Sequence, residues 1–138
     1  MFVYRLILDF GLLILIWLVQ LIIYPSFTYL SEYNFKVWHK KYTFLISLFV
    51  LPLMIGQLAI LFGQIIFQFS FFTLFSIALV AVAWISTFMQ AMPLHDEMDK
   101  NPESNSYRNT LIRINWVRTF SWTLVFILGL VEHSVNHT

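Results

Sequence analysis

Cysteine is absent from the 138 residues, which removes a disulfide framework, a thiolate metal site and a cysteine nucleophile. Charge is scarce as well. Asp, Glu, Lys and Arg make up 11% of the chain, against about 25% in soluble domains. The net charge is +1 with no basic stripe interleaved with aromatics, so nucleic acid is not an expected partner. No phosphate loop, dinucleotide glycine pattern or Ser-His-Asp order is present. No internal repeat or low-complexity segment divides the chain, and nothing in the sequence indicates a cofactor.

Apolar residues take the place of all this. They make up 59% of the chain, Phe alone supplies 15 residues, and the mean hydropathy is +0.77. One small soluble core cannot hide that much apolar surface, so the expected solvent and main partner is a lipid bilayer. The charges delimit the spans. Between Asp9 and Glu32 lie 22 residues without a charged side chain, and between Lys41 and Asp96 lie 54 more. A spanning helix needs about 20 residues, so the longer run is read as two helices with a turn between Gly63-Gln64 and Gln68-Phe69-Ser70. A further apolar run after Arg113 is broken only by Arg118. The expected architecture is all-α, a single integral-membrane four-helix bundle with helices at about 4–30, 39–63, 70–95 and 106–132. The first helix is too long for a secretory signal, carries Asp9 near its start and precedes no small-residue cleavage site; it is expected to be retained. The clearest water-loving stretch is HDEMDKNPESNSY, read as a loop from His95 to Tyr107.

Lys36, Lys40 and Lys41 fall in the first connection, and Lys100, Arg108 and Arg113 in the third. The positive-inside rule then puts both of these connections in the cytoplasm and both termini on the other side. A bacterial inner membrane is the expected location.

With this orientation most polar groups fall in the cytoplasmic half. Helix 1 presents Trp17, Gln20, Tyr24 and Thr28 along one face, and helix 2 carries His39, Thr43, Met54 and Gln57 near one face. Helix 3 carries Thr87, Gln90 and His95, with Pro93 expected to kink it. Helix 4 carries Arg108, Asn115, Arg118, Thr119 and Trp122 on one side. Intramembrane ionisable residues usually face an interior or a wet cavity, with a partner. His95, Asn115 and Arg118 are therefore the candidate catalytic residues, and Gln20, Tyr24, Gln90 and Trp122 the candidate ligand contacts. Glu97, Asp96 or the Tyr24 hydroxyl are the expected partners of Arg118. A plainer reading of Arg118 stays open: it lies about 7–8 Å beyond Arg113 at 1.5 Å per residue, and its side chain could snorkel back to the interface. His39, His95 and Glu97 (or Asp96) are candidate ligands of a metal with two histidines and a carboxylate, although no paired helical ligand motif supports it. Interfacial histidines are the plainer account. Arg5 and Asp9, four apart, read as a local pair near the outer surface, in an outer half otherwise polar only at Gln57 and Gln64. Trp38 and Trp116 sit where an aromatic belt belongs, Gly56 and Ala59 offer a small-residue packing face, and His133 and His137 read as a solvated tail.

PLHDEM at 93–98, with NWVRT at 115–119 and then Trp122, resembles a group of small four-helix bacterial membrane proteins related to the anthrone-oxygenase-like membrane domain. The resemblance covers mainly residues 90–122. It implies a compact four-helix membrane bundle and, in the anthrone oxygenases, oxidation of an aromatic polyketide without a conventional cofactor. Carried over by position, His95, Asn115, Trp116, Arg118 and Trp122 are the motif residues. The family places a further Arg shortly after the last Trp, where this chain reads TLVFIL. Three functions are consistent with all this: a small polytopic membrane protein without chemistry, a membrane-embedded oxygenase-like enzyme or binder of an apolar small molecule, and a transport subunit. The last would need a homo-oligomer.

Overall fold

The computed structural model describes residues 1–136, and among them every regular element is helical. Four helices are long and apolar enough to cross a membrane: α1 (Phe2–Tyr29), α2 (Glu32–Phe67), α3 (Phe71–Lys100) and α4 (Asn105–Asn136). The last three run past the expected boundaries at one end or both, because polar ends extend the apolar cores. The stretch read as a loop from His95 to Tyr107 is helical up to Lys100, leaving only residues 101–104 as the connection. The starts are set by local chemistry. The Ser31 hydroxyl accepts from the Asn34 amide at 3.4 Å, and the Ser70 hydroxyl from the Phe72 amide at 3.0 Å, each satisfying a donor that a helix start leaves free.

α1 and α3 share a distortion. Each contains one wide turn, Val19–Ile23 and Thr87–Ala91, placed directly before a Tyr-Pro or Met-Pro step. Pro25 and Pro93 have no amide to donate. In the turn ahead of each, the amides of Tyr24 and Met92 bond five residues back, to the Val19 and Thr87 carbonyls. Such π-bulges insert a residue and rotate the next stretch of helix about its axis.

The helices pack antiparallel in chain order, each against its sequence neighbours, with α4 closing the ring on α1. Met1, Asn136 and the 68–70 turn lie at one end, here the terminal end; the first and third connections lie at the other, the loop end. Three apolar layers fill the axis: Leu61, Val80 and Val125 toward the terminal end, Leu12, Met54, Ala83 and Trp122 in the middle, and Phe27, Phe35, Met98 and Leu111 toward the loop end. Outward faces expose large apolar groups such as Ile7, Phe10, Phe49, Phe62 and Phe75. That is far more contiguous apolar surface than a water-soluble monomer carries, and it is compatible with lipid contact. The small face at Gly56 is used inside the bundle: a Cβ there would stand 3.2 Å from Leu8 of α1.

The loop end is locked by Arg108. Its guanidinium donates to the carbonyls of Phe27 at 2.6 Å and Leu30 at 2.9 Å, donates to that of Pro102, and lies 4.1 Å from the Phe35 ring centre. A cation at the C-terminal carbonyls of α1 is favoured by their exposed partial charge.

Candidate functional site

At the loop end a line of side chains crosses the bundle. Arg118 Nη2 donates to the Tyr24 hydroxyl at 3.3 Å. Tyr24 Oη lies 3.2 Å from His95 Nε2, His95 Nδ1 lies 2.8 Å from His39 Nε2, and His39 Nδ1 lies 2.7 Å from Asp99 Oδ1. All four helices contribute. A guanidinium only donates and an ionised carboxylate only accepts, so with neutral rings the direction of every bond is fixed. The Tyr24 hydroxyl donates to His95 Nε2, His95 donates from Nδ1 to His39 Nε2, and His39 donates from Nδ1 to Asp99. The two imidazole rings lie 28° from parallel with centres 4.9 Å apart, as rings hydrogen-bonded edge to edge do, and Phe35 stacks on His39 at 4.7 Å. The Asp99 side chain, 24% exposed, is where the line meets the outside.

A cavity of about 310 Å³ opens beside this line. Leu12, Ile16, Val50, Met54 and Trp122 form its apolar depth, while Tyr24, His95, Asp99 and Arg118 face it at the loop end. Arg118 is 6% exposed, and its Nε has no hydrogen-bond partner. The guanidinium points into the bundle, whereas the plainer reading has it snorkelling out.

The other sequence candidates divide clearly. Tyr24, His95, Arg118 and Trp122 meet at the cavity. Asn115 and Gln20 do not line it: Asn115 Nδ2 donates to Gln20 Oε1 at 2.8 Å, Thr119 donates to the same oxygen at 3.3 Å, and Gln20 Nε2 donates to the Ile112 carbonyl at 3.2 Å. They tie α1 to α4. Gln90 is exposed and accepts from Ser86 at 2.9 Å; the wide turn at 87–91 rotates it outward and Ala91 inward. His39 and His95 come together, but Glu97 does not join them. Two residues on from His95 it points elsewhere around the helix, where it accepts from Lys100 at 3.0 Å. The carboxylate that reaches the histidines is Asp99, and the i, i+4 spacing from His95 is the signal for it. Among the described residues, no group of three or more His, Cys, Asp or Glu is arranged to hold a metal ion.

The terminal end holds a second polar group, and here the expectation of a surface pair is corrected. Arg5 is 1% exposed and Asp9 0%. Arg5 Nε pairs with Asp9 at 3.2 Å; Nη1 reaches Glu132 and Gln64 Oε1, the latter at 3.3 Å, and Nη2 donates to Ser76 at 2.6 Å. Gln57 donates to Asp9 at 2.6 Å, Thr73 to Glu132 at 2.9 Å, and Trp122 Nε1 to Gln57 at 3.2 Å. Glu132, at the expected end of helix 4, is buried. His133, expected in a solvated tail, sits within α4, half-buried with its ring 6.2 Å from that of Phe2; His137 lies outside the described residues. Of the aromatic-belt pair, Trp38 is exposed, whereas Trp116 packs edge-on against Trp17 at 5.8 Å.

Comparison with protein-family models, with curated proteins and with solved structures finds no match.

Proposed function

We propose that the chain is an integral membrane protein that takes an apolar small molecule from the bilayer into the loop-end cavity and exchanges a proton with it. The observation that carries this reading is the continuous line from Arg118 to Asp99 beside an apolar cavity. An acidic group of a bound molecule that loses its proton to the Tyr24 oxygen moves the Tyr24 proton to His95, the His95 Nδ1 proton to His39 and the His39 Nδ1 proton to Asp99. Asp99 then releases one to water. Each transfer between Tyr24 and Asp99 runs along an existing hydrogen bond, the geometry that general acid–base catalysis needs. The negative charge left behind sits beside Arg118, as in an oxyanion site. Lys36, Lys40, Lys41, Lys100 and Arg113 at the loop end support a cytoplasmic location for it, with both termini outside and a bacterial inner membrane as host.

The oxygenase-like reading is narrower: it adds an oxidant to this proton path and rests on the resemblance of PLHDEM and NWVRT. A purely structural role is favoured for Gln20, Asn115 and Arg108 by their contacts, which lie away from the cavity.

Stopped-flow mixing of the detergent-solubilised protein with para-bromophenol, followed with a pH-indicator dye, times the proton released on binding. Wild type is expected to release close to one proton as fast as it binds. Asp99→Asn and His39→Phe are expected to bind and to release it at least about tenfold more slowly. Equal release rates in all three proteins would sink the relay, and no binding in any of them would sink the cavity as a binding site.

A further inference from the structure

The chain buries three guanidinium groups, and they are compensated very differently. Arg5 faces two carboxylates. Arg108 faces three backbone carbonyls. Arg118 faces one neutral phenol at 3.3 Å. Among the described residues no carboxylate lies within ion-pair distance of it. Its Nε is buried without a partner, and the group lines the cavity. Asp99, the acid of the same cluster, is engaged by His39. A buried cation without a counter-charge is costly, and an anion arriving in the cavity removes that cost.

The cavity has a second directional feature. Thr43, Ser47 and Leu51 succeed each other at four-residue intervals along α2, and Phe88, Met92 and Asp96 do so along α3; both rows line the cavity. Leu51, Phe88 and Met92 are also exposed on the outer surface, at 40%, 41% and 51%. The two rows are therefore the edges of a slot that opens sideways between α2 and α3, at a depth where the flanking surface is apolar.

Resting on the cavity reading above, we propose that the ligand is a weakly acidic amphiphile, an apolar body bearing one carboxylic or phenolic O–H, which enters neutral through the α2–α3 slot and is held as its anion by Arg118. The apolar body lies toward Met54 and Trp122. The O–H bond breaks, its proton goes to the Tyr24 oxygen as Tyr24's own moves to His95, and the relay delivers one proton to water at Asp99. The electron pair stays on the ligand oxygen beside Arg118, so no oxidant or reductant is required. A carboxylic acid and a phenol share this chemistry.

The test uses ω-bromooctanoate, its uncharged analogue ω-bromooctanol, and para-bromophenol. Bromine quenches indole fluorescence at short range, and Trp122 lines the cavity, so the share of quenching lost in Trp122→Phe reports occupancy apart from partition into detergent. Wild type is expected to bind ω-bromooctanoate about tenfold more tightly than ω-bromooctanol, the gain of a charge-assisted hydrogen bond. Arg118→Gln is expected to bind both equally, and Arg118→Lys to keep part of the preference. Ser47→Phe, which narrows the slot, is expected to slow binding of both with an unchanged melting temperature. Tight para-bromophenol binding without octanoate binding would assign the phenol source, and the reverse the carboxylic source. Equal binding of acid and alcohol by wild type would overturn the anion proposal and leave the cavity reading standing. So would a preference that survives in Arg118→Gln. Absence of Trp122-dependent quenching by all three probes would overturn both.

Discussion

The two ends of the bundle each bury an arginine, and they do so in opposite ways. At the terminal end Arg5 is enclosed by Asp9, Glu132, Gln64, Thr73 and Ser76, so its donors are directed at protein acceptors. At the loop end Arg118 meets one phenol and an open cavity. A buried polar network in which the members satisfy one another makes the helices specify one arrangement. A buried cation left partly unmatched does not help the fold, and in an apolar setting it is the residue to suspect of a ligand. The loop end is the richer in charged residues, yet it is there that a buried arginine goes without a carboxylate among the described residues; the difference lies in how the charges are paired.

The sharpest way to break the comparison is Arg5→Leu. It leaves Asp9 and Glu132 buried beside each other without a cation, a loss of about 3–5 kcal/mol for a broken buried pair. The expected outcome is a large fall in apparent melting temperature in detergent and in folded yield by size exclusion. Replacing all three charges with Leu should restore much of that loss, because apolar groups of similar volume substitute well for buried ion pairs. A wild-type-like Arg5→Leu would mean that the network is not what holds the terminal end.

Gly129→Ala tests the same network through space. A Cβ at Gly129 would stand 3.2 Å from the Asp9 carboxylate, 3.3 Å from Leu6 and 3.4 Å from Arg5 Nε, so α4 must move away from α1 or the ion pair must shift. Overpacking of this kind costs about 1–3 kcal/mol. Gly56→Ala, 3.2 Å from the flexible end of Leu8, should cost less, and comparing the two melting temperatures separates a rigid charged neighbour from a yielding apolar one. Smaller again is Asn115→Ala. It removes one donor to Gln20 Oε1, which Thr119 still satisfies, so a loss of about 1 kcal/mol is expected with ligand binding unaffected. Loss of binding without loss of stability would return Asn115 to the site.

Much of the loop end is legible in the sequence, and little of the terminal end is. The spans come from charge-free runs, helical spacing puts Gln20 and Tyr24 on one face of the first helix and Asn115 and Arg118 on one side of the fourth, and the Tyr24 hydroxyl is among the expected partners of Arg118. Gln90 is misplaced because a proline reads as a kink, whereas the chain absorbs it with a wide turn that changes which residues face inward. Asp99 is overlooked because His95 to Tyr107 reads as a loop, where i, i+4 spacing carries no meaning. Arg5 and Asp9 satisfy a local rule so well that nothing points to a distant partner. Their partner Glu132 lies 127 residues further on from Arg5, near the end of an apolar run where a charge ordinarily meets water. Sequence periodicity gives the face of a residue. It does not give which faces meet across a bundle whose helix order is unknown.

Arg118→Leu is the mildest of these changes in stability and the most informative about the comparison. Only one hydrogen bond, the 3.3 Å contact to Tyr24, is lost. Tyr24 keeps His95 as its partner, so no acceptor is stranded. No carboxylate loses its counter-ion, in contrast with Arg5→Leu. Against that small loss stands the relief of a charge in an apolar setting, which costs roughly 2.5–3.5 kcal/mol on the insertion scale at a helix centre and less where the cavity is wet. The net change expected is within about 1 kcal/mol of wild type or stabilising, read as an unchanged or raised melting temperature. Binding of ω-bromooctanoate should fall to the level of the alcohol in the same protein. A stable protein that has lost its preference for the acid would separate a residue kept for a ligand from one kept for the fold. A fall in melting temperature as large as that of Arg5→Leu would mean the two ends are built alike, with Arg118 a structural cation and the line to Asp99 a second network that holds helices together.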